Sequence, residues 1–255
     1  MTAEVVVRTG LTYGADGKLM DVYRPAGASE PIPAVLLWHG RGPDQRDVLA
    51  PVARAAAELG AIVLVPDWRS DAADGGRAHL CDSADFARQH VGDFGGDPER
   101  IALAGWSLGG KAAVGGAVDP AAFGDWRPRA VVGTAGAYAT VAPSTGIVPI
   151  DDLRRSGSRV PPTPVWLVHG TADPVVAVER SRDLRSALDQ ENWPVSLDEV
   201  ATDHAGVIMT EFVPKENRCL PSTTEHAVAA GTRTALVLAA AAGIRLTREA
   251  TGWRG

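Results

Sequence analysis

The sequence lacks the features that mark membrane, nucleic-acid-binding and secreted proteins. Its longest apolar run, residues 235–244, is far shorter than the roughly 20 residues that a membrane-spanning helix needs. No basic segment followed by an apolar one opens the chain, so a cytoplasmic location is expected unless a signal has already been removed. Lysine and arginine are scattered and the net charge is −6, which argues against a nucleic-acid partner.

Cysteine is also scarce. The two cysteines, Cys81 and Cys219, are too few for a disulfide framework and too few for a zinc site by themselves. The chain has neither a His-Glu-x-x-His nor a Cys-x-x-Cys motif, so no metal is expected and no cofactor is implied. Its 255 residues contain no low-complexity linker, and this predicts one domain over residues 1–255.

The chain instead alternates apolar strand-like runs with helix-like segments, which is typical of an α/β protein with a mainly parallel central sheet and helices on both faces. Strands are predicted at 5–7, 18–23, 34–38, 61–66, 100–103, 130–133, 165–168 and 195–200. Helices are predicted at 48–59, 83–89 and 223–242. An insertion rich in glycine, proline and serine, at about 135–164, is expected to lie over the carboxyl ends of the strands as a minimal cap.

The most informative motif is Gly105-Trp106-Ser107-Leu108-Gly109, which stands between a predicted strand and a predicted helix. A serine between two glycines on such a turn is a nucleophile elbow, in which the hydroxyl is lifted above the sheet. The turn strains the serine backbone, and side chains on both flanks would clash, so Gly105 and Gly109 are needed. The sequence therefore predicts Ser107 as a nucleophile.

A serine nucleophile needs a base and an acid that orients the base, in the chain order Ser, Asp or Glu, His. Asp173 follows a late strand in a turn with glycine and proline, and His204 lies in a loop after the last predicted strand. Both would stand at the same edge of the sheet as Ser107. The alternatives for the acid and the base are Asp198, Glu199, Asp203, His39, His169 and His226.

An acyl-transfer site also needs donors for the oxyanion. The backbone N–H of Leu108, directly after the nucleophile, is the expected first donor. The second is expected from Gly40 or Arg41, because the sequence Trp-His-Gly-Arg-Gly follows the strand that ends at Trp38.

These motifs together resemble those of the α/β-hydrolase superfamily, and within it the carboxylesterase and acetylhydrolase-like serine esterases. Residues 94–101 before the elbow and the acid loop 170–176 carry the resemblance, which spans nearly the whole chain from about residue 18. Arg41 stands where the hormone-sensitive-lipase branch has a third glycine, so a dienelactone-hydrolase-like or acetylxylan-esterase-like branch is equally open. Ser107 argues against dienelactone hydrolase activity, which uses cysteine.

The resemblance implies a serine-dependent hydrolase that cleaves a small-molecule ester, with short acyl groups expected from the short insertion. A thioesterase, a small peptidase or a non-catalytic ligand-binding homologue on the same fold are the alternatives. Two expectations concern the surroundings of the site. Trp38, His39, Trp68 and Trp106 are candidates for the substrate pocket or, equally, for core packing. Cys81 and Cys219 form either a disulfide between two active-site loops or two separate thiols.

Overall fold

The structure, a computed structural model, describes residues 3–27, 31–156 and 160–246. The strands are Val5–Tyr13 (β1), Lys18–Pro25 (β2), Ile32–Trp38 (β3), Ile62–Pro66 (β4), Gly96–Trp106 (β5), Val131–Thr134 (β6), Val165–Gly170 (β7), Val195–Val200 (β8), Thr210–Val213 (β9) and Arg218–Pro221 (β10). The α-helices are Ala50–Glu58 (α1), Arg77–His90 (α2), Leu108–Val118 (α3), Pro149–Ser156 (α4), Glu179–Gln190 (α5) and Glu225–Ala242 (α6).

Eight of these strands form one sheet in the order β1-β2-β4-β3-β5-β6-β7-β8. The pairs β1–β2 and β2–β4 are antiparallel, and every pair from β4 to β8 is parallel. Trp38 on β3 pairs with Gly105 on β5, which pairs with Gly133 on β6, so these strands end at one level. The predicted α/β architecture with a mainly parallel sheet is confirmed, and one edge collects the carboxyl ends of the parallel strands.

Helices cover both faces of the sheet because the side chains of a strand alternate between them. On β3, Ala34, Leu36 and Trp38 pack into a core formed with α2, α3, α4 and α5. Val35 and Leu37 point the opposite way, into a core formed with α1 and α6. Each of these residues is almost completely buried, which accounts for the unbroken apolar run in the sequence.

Two elements begin earlier than the sequence predicts. Helix α2 begins at Arg77 rather than at 83, because both carboxylate oxygens of Asp74 accept N–H groups of its first turn, from Gly76 and Ala78. Strand β5 begins at Gly96 rather than at 100, since Gly96 already pairs with Ile32 of β3. Residues 96–99, which precede the predicted strand, are therefore part of it.

The antiparallel pair β9–β10, which forms a small second sheet after β8, was not predicted. The insertion at 135–164 also differs from expectation, because its described part packs along α3 rather than over the strand ends. Ser144 Oγ donates to Ala112 O of α3 at 2.7 Å, and Ile150 and Leu153 are buried in the core beside it. Residues 157–159 lie outside the described residues.

Of the two alternatives for Cys81 and Cys219, the structure has the separate thiols, since both cysteines are free. Cys81 lies on α2 and packs against the core on one face of the sheet, where its thiol contacts Ala122 O at 3.5 Å. Cys219 lies on β10 and packs against the core on the other face. The sheet therefore separates the two thiols. No helix in the described ranges combines the length and apolarity needed to cross a membrane.

Candidate active site

Ser107 occupies the turn between β5 and α3 in a strained backbone conformation, with φ at 56° and ψ at −116°. Its N–H donates to Thr134 O at 2.7 Å and its carbonyl accepts from Lys111 N at 3.1 Å, which anchors the turn on both sides. A Cβ added at Gly105 would lie 2.3 Å from the Gly109 carbonyl, and one at Gly109 would lie 2.3 Å from His39 O. Glycine at these two positions lets the turn close.

Asp173 lies in the turn after β7, with its side chain completely buried. Its Oδ1 accepts the N–H groups of Val175 and Val176, both at 2.8 Å. Its Oδ2 lies 2.6 Å from His204 Nδ1 and 3.3 Å from His169 Nε2. Burial alone raises the pKa of Asp173, but these hydrogen bonds outweigh it and hold the pKa well below its usual range. The carboxylate is therefore ionised and fixed by four donors.

His204 follows β8, and its side chain is 12% exposed. Because Nδ1 faces the ionised Asp173, the proton of the neutral ring belongs on Nδ1 and leaves Nε2 as a free acceptor. Trp106 supports this loop from the elbow strand, since its Nε1–H donates to His204 O at 2.9 Å and its ring centroid lies 5.1 Å from the imidazole. The strand that ends in the elbow thus also holds the histidine loop.

The other acidic candidates are engaged elsewhere. Asp198 and Glu199 form ion pairs with arginines, and Asp203 binds the backbone of its own turn. Their partners are Arg233 at 2.6 Å, Arg182 at 2.5 Å and the N–H groups of Ala205 and Gly206. None of these contacts involves His204, and among the described residues Asp173 is the carboxylate that contacts the imidazole.

The other histidines do not line the cavity that contains Ser107. His226 is exposed on α6 and bonds Thr202 Oγ1 at 2.9 Å. His39 is fully buried behind the loop, and burial lowers its pKa to about 4. Its Nε2 accepts the N–H groups of Gln45 and Trp68, each at 3.2 Å. His39 is therefore a neutral brace of the loop after β3.

His169 has a role that the sequence analysis did not assign. It is completely buried, and its Nε2 lies 2.8 Å from Val176 O and 3.3 Å from Asp173 Oδ2. Because Nε2 faces two acceptors, it carries the proton, and Nδ1 accepts from Ser181 Oγ at 2.7 Å. His169 thus contacts the same oxygen of Asp173 that faces His204. The His-Gly pair that ends β7 was visible in the sequence, but its orientation was not.

The loop after β3 approaches the elbow closely, since a Cβ added at Gly40 would lie 3.2 Å from Ser107 Cβ. The carbonyl of Gly40 is bound by His39 Nδ1 at 2.9 Å. In a trans peptide the C=O and the following N–H point in opposite directions, so the N–H of Arg41 is directed away from His39. The N–H of Leu108 opens α3 and has no acceptor one turn earlier in the helix.

A cavity with a volume of about 400 Å³ lies at this edge of the sheet. Its lining comprises Arg41, Gln45, Trp106, Ser107, Pro174, Val175, Asp203, His204, Ala205, Phe212, Asn217, Arg218 and Cys219. The pair β9–β10 supplies part of this wall, whereas no described residue of 68–80 or 135–164 is among the lining residues. The segment 135–164, which the sequence predicts as a minimal cap, thus contributes none of its described residues to the lining.

Of the four pocket candidates, Trp106 lines the cavity and the other three do not. Trp38 is fully buried on the α2 side of the sheet, where its Nε1–H donates to Ser83 Oγ at 2.9 Å. Trp68 is also fully buried, stacks on His39 and donates to His39 O at 3.2 Å. His39 and Trp68 thus support the loop from inside, whereas Trp38 is part of the core. Among the described residues, no group of three or more potential metal ligands occurs.

Comparisons with known proteins place this geometry in a common fold. No protein-family model matches the sequence, and no curated protein is significantly similar. A thermostable esterase from Pseudomonas putida superimposes with a TM-score of 0.72 at 17% identity, covering 96% of this chain and 85% of that one. An S-formylglutathione hydrolase from Staphylococcus aureus gives 0.67 at 15% identity, with 94% and 98% covered. Esterase B from a Lactobacillus gives 0.68 at 16%, with 93% and 87% covered.

Proposed function

We propose that this chain, which has the α/β-hydrolase fold, is a single-domain serine hydrolase that cleaves carboxylic esters through an acyl-enzyme on Ser107. One observation carries the proposal. His204 Nδ1 lies 2.6 Å from the buried Asp173 carboxylate, while the imidazole and the elbow serine line the same cavity. That arrangement supplies a nucleophile, a base and an orienting acid. The esterases among the structures with this fold support ester hydrolysis.

In this proposal the reaction has two halves. His204 Nε2 takes the proton of Ser107 Oγ as the oxygen attacks the ester carbonyl, and the imidazolium then gives that proton to the departing alcohol. Water attacks the acyl-enzyme in the second half, with His204 again accepting and returning a proton. Asp173 keeps Nδ1 protonated and stabilises the imidazolium, and it stays ionised throughout because its pKa is held low.

The proposed oxyanion donors are the backbone N–H groups of Leu108 and Arg41. The bond between His39 Nδ1 and the Gly40 carbonyl favours Arg41 over Gly40 as the second donor, because it turns the Arg41 N–H away from His39. Removing one such donor in other serine hydrolases costs about 2.7–4 kcal/mol of transition-state stabilisation. The buried imidazole of His39 therefore acts on the oxyanion site through the peptide that it holds.

The proposed substrates are small esters with short acyl groups. The volume of the cavity, about 400 Å³, lies toward the lower end of the roughly 300–1,000 Å³ that is usual for ligand pockets. Its apolar lining is partly exposed to solvent, with Val175 and Phe212 at 69% and 55% exposure. Nitrophenyl acetate and butyrate should therefore react faster than the palmitate ester. Faster palmitate hydrolysis, or activation at a lipid–water interface, would contradict this substrate class.

The central test compares Ser107→Ala with Ser186→Ala, which changes an exposed serine on α5. A fluorophosphonate should label the wild type and Ser186→Ala on Ser107, and should leave Ser107→Ala unlabelled. Ester turnover should be lost in Ser107→Ala and retained in Ser186→Ala. The circular dichroism spectra of both variants should match that of the wild type. An active Ser107→Ala enzyme with an unchanged pH profile would refute the nucleophile. Acyl thioesters and aminoacyl amides, assayed beside the esters, separate ester hydrolysis from thioesterase and peptidase activity.

A further inference from the structure

We propose that the cavity contains an anion subsite centred on the Arg41 side chain, and that the preferred ester carries a carboxylate in addition to the ester group. The inference rests on the proposed ester hydrolase function. Arg41 is exposed and lines the cavity together with Ser107. No hydrogen bond or ion pair of its guanidinium occurs within the described part of the chain.

The carboxylates nearest to Arg41 in the chain and around the cavity are already engaged. The acidic side chains near this loop bind other cations, in the pairs Asp44 with Lys18, Asp47 with Arg218 and Asp67 with Arg46. Asp203 lines the cavity, but its Oδ1 accepts two backbone N–H groups of its own turn. The positive charge of Arg41 is therefore left facing the cavity without a protein carboxylate bound to it.

A second cation adds to the positive potential. Lys111 lies in the first turn of α3, is 7% exposed, and bonds Thr140 Oγ1 at 2.7 Å. Burial, and then the charge of Arg41, lower the pKa of Lys111. A cation near a helix N-terminus is electrostatically unfavourable, whereas an anion there is favoured. An anionic group bound at Arg41 would reduce the repulsion between these two cations.

Guanidinium binds carboxylate through parallel N–H donors, which makes a carboxylate the expected group. The carboxylate could belong to the acid, as in a monoester of a dicarboxylic acid, or to the alcohol, as in an ester of a hydroxybenzoate. Both sources use the same contact with Arg41. They differ in which product of the reaction carries the charge, so matched substrates distinguish them.

The experiment measures kcat/KM for two matched pairs of substrates. Monophenyl adipate is compared with phenyl hexanoate for a charge on the acid, and 3-carboxyphenyl butyrate with phenyl butyrate for a charge on the alcohol. At least one charged substrate should be preferred by the wild type. Arg41→Gln should lower that ratio of charged to neutral substrate by about tenfold, the size expected for loss of a charged hydrogen bond. Arg41→Lys should retain part of the preference, and added salt should reduce it.

The control is Arg69→Gln, which also removes one positive charge. Arg69 is bound to Asp71 and does not line the cavity, so the ratio should stay at the wild-type value. The ratio compares kcat/KM for a charged and a neutral substrate on the same variant. An effect of the substitution on the proposed oxyanion donor, the Arg41 N–H, is common to both substrates and therefore cancels. An equal ratio in wild type and Arg41→Gln, or a wild-type preference for both neutral substrates, would overturn the subsite.

A binding measurement separates this inference from the proposed function. Calorimetry on Ser107→Ala should detect binding of 3-carboxyphenyl butyrate or monophenyl adipate. The binding should be weaker in the double variant that also carries Arg41→Gln. Binding of this kind without wild-type turnover would support the subsite and refute the esterase. The opposite outcome is turnover of neutral esters by the wild type together with equal binding by Ser107→Ala and by the double variant. It would refute the subsite without contradicting the proposed esterase function.

Discussion

The buried imidazole of His39 should make the stability of the fold depend on pH below the ordinary pKa of histidine. Its Nδ1 bonds the Gly40 carbonyl, and its Nε2 accepts the N–H groups of Gln45 and Trp68. A proton on Nε2 would break both of the latter contacts and place a charge in the core. Burial accordingly lowers the pKa of His39 from 6.5 to about 4.

The direction of the effect follows from proton binding. Between pH 6.5 and about 4 the unfolded chain binds a proton at His39 and the folded chain does not. The free energy of unfolding is therefore highest above pH 6.5 and falls as the pH decreases toward 4. The difference between the pKa of 6.5 in the unfolded chain and about 4 in the folded chain corresponds to a loss of about 3 kcal/mol in the free energy of unfolding. The contribution of Asp173, whose pKa is held well below its usual range, is lost only below about pH 4.

Urea denaturation followed by tryptophan fluorescence, at several pH values between about 7.5 and 4.5, measures this loss. The matched variant is His39→Gln, whose side-chain oxygen can accept in place of Nε2 but does not titrate. We expect His39→Gln to be less stable than the wild type at neutral pH and to lose less of its free energy of unfolding than the wild type between pH 6.5 and 4.5. Parallel pH profiles for the two proteins would refute the assignment of the buried neutral imidazole.

Two further predictions concern the elbow and the acid loop. Gly109→Ala should prevent folding or abolish ester turnover, because its Cβ would lie 2.3 Å from His39 O, whereas Gly92→Ala, with no atom within 4 Å, should unfold at the wild-type temperature. His169→Leu, which removes the N–H that faces Asp173, should lower kcat/KM by roughly tenfold or more. The acid limb of its pH profile should move to higher pH, since a less solvated carboxylate stabilises the imidazolium of His204 more strongly; an unmoved limb in a folded variant would indicate a purely structural role for His169.

The position of Ser107 at the elbow and the parallel sheet could be predicted because their signals are local. The serine is marked by glycines on both sides, and the buried strands are unbroken apolar runs bounded by turn residues. The placement of Asp173 and His204 at one edge needs one further rule, that parallel strands end together. That rule requires only the order of strands and loops along the chain, which the sequence contains.

The pocket candidates could not be resolved in the same way, because a strand reverses the direction of its side chains at every residue. Trp38 and Trp106 both end strands of the sheet, and their positions in the sequence are equivalent. Trp38 falls in the same alternation as Leu36 and is buried toward α2, whereas Trp106 points to the opposite side and reaches the cavity. The face of the sheet to which the last side chain of a strand points depends on how the strand is aligned with its neighbours. The presence of a tryptophan at that position does not reveal this alignment.

The wall formed by β9–β10 shows why substrate selection is harder to predict than the reacting groups. Its two strands are four residues each, and Glu211, Lys215 and Glu216 interrupt the apolar pattern that would mark them. Phe212 and Cys219, which pair across these strands, reach the cavity only because the pair folds back beside the loop of His204. The proposed reacting groups follow the ends of parallel strands of the main sheet, whereas the groups that line the rest of the cavity come partly from short segments whose position depends on tertiary packing. Substitutions in β9–β10 should therefore alter which ester is preferred more than whether Ser107 reacts.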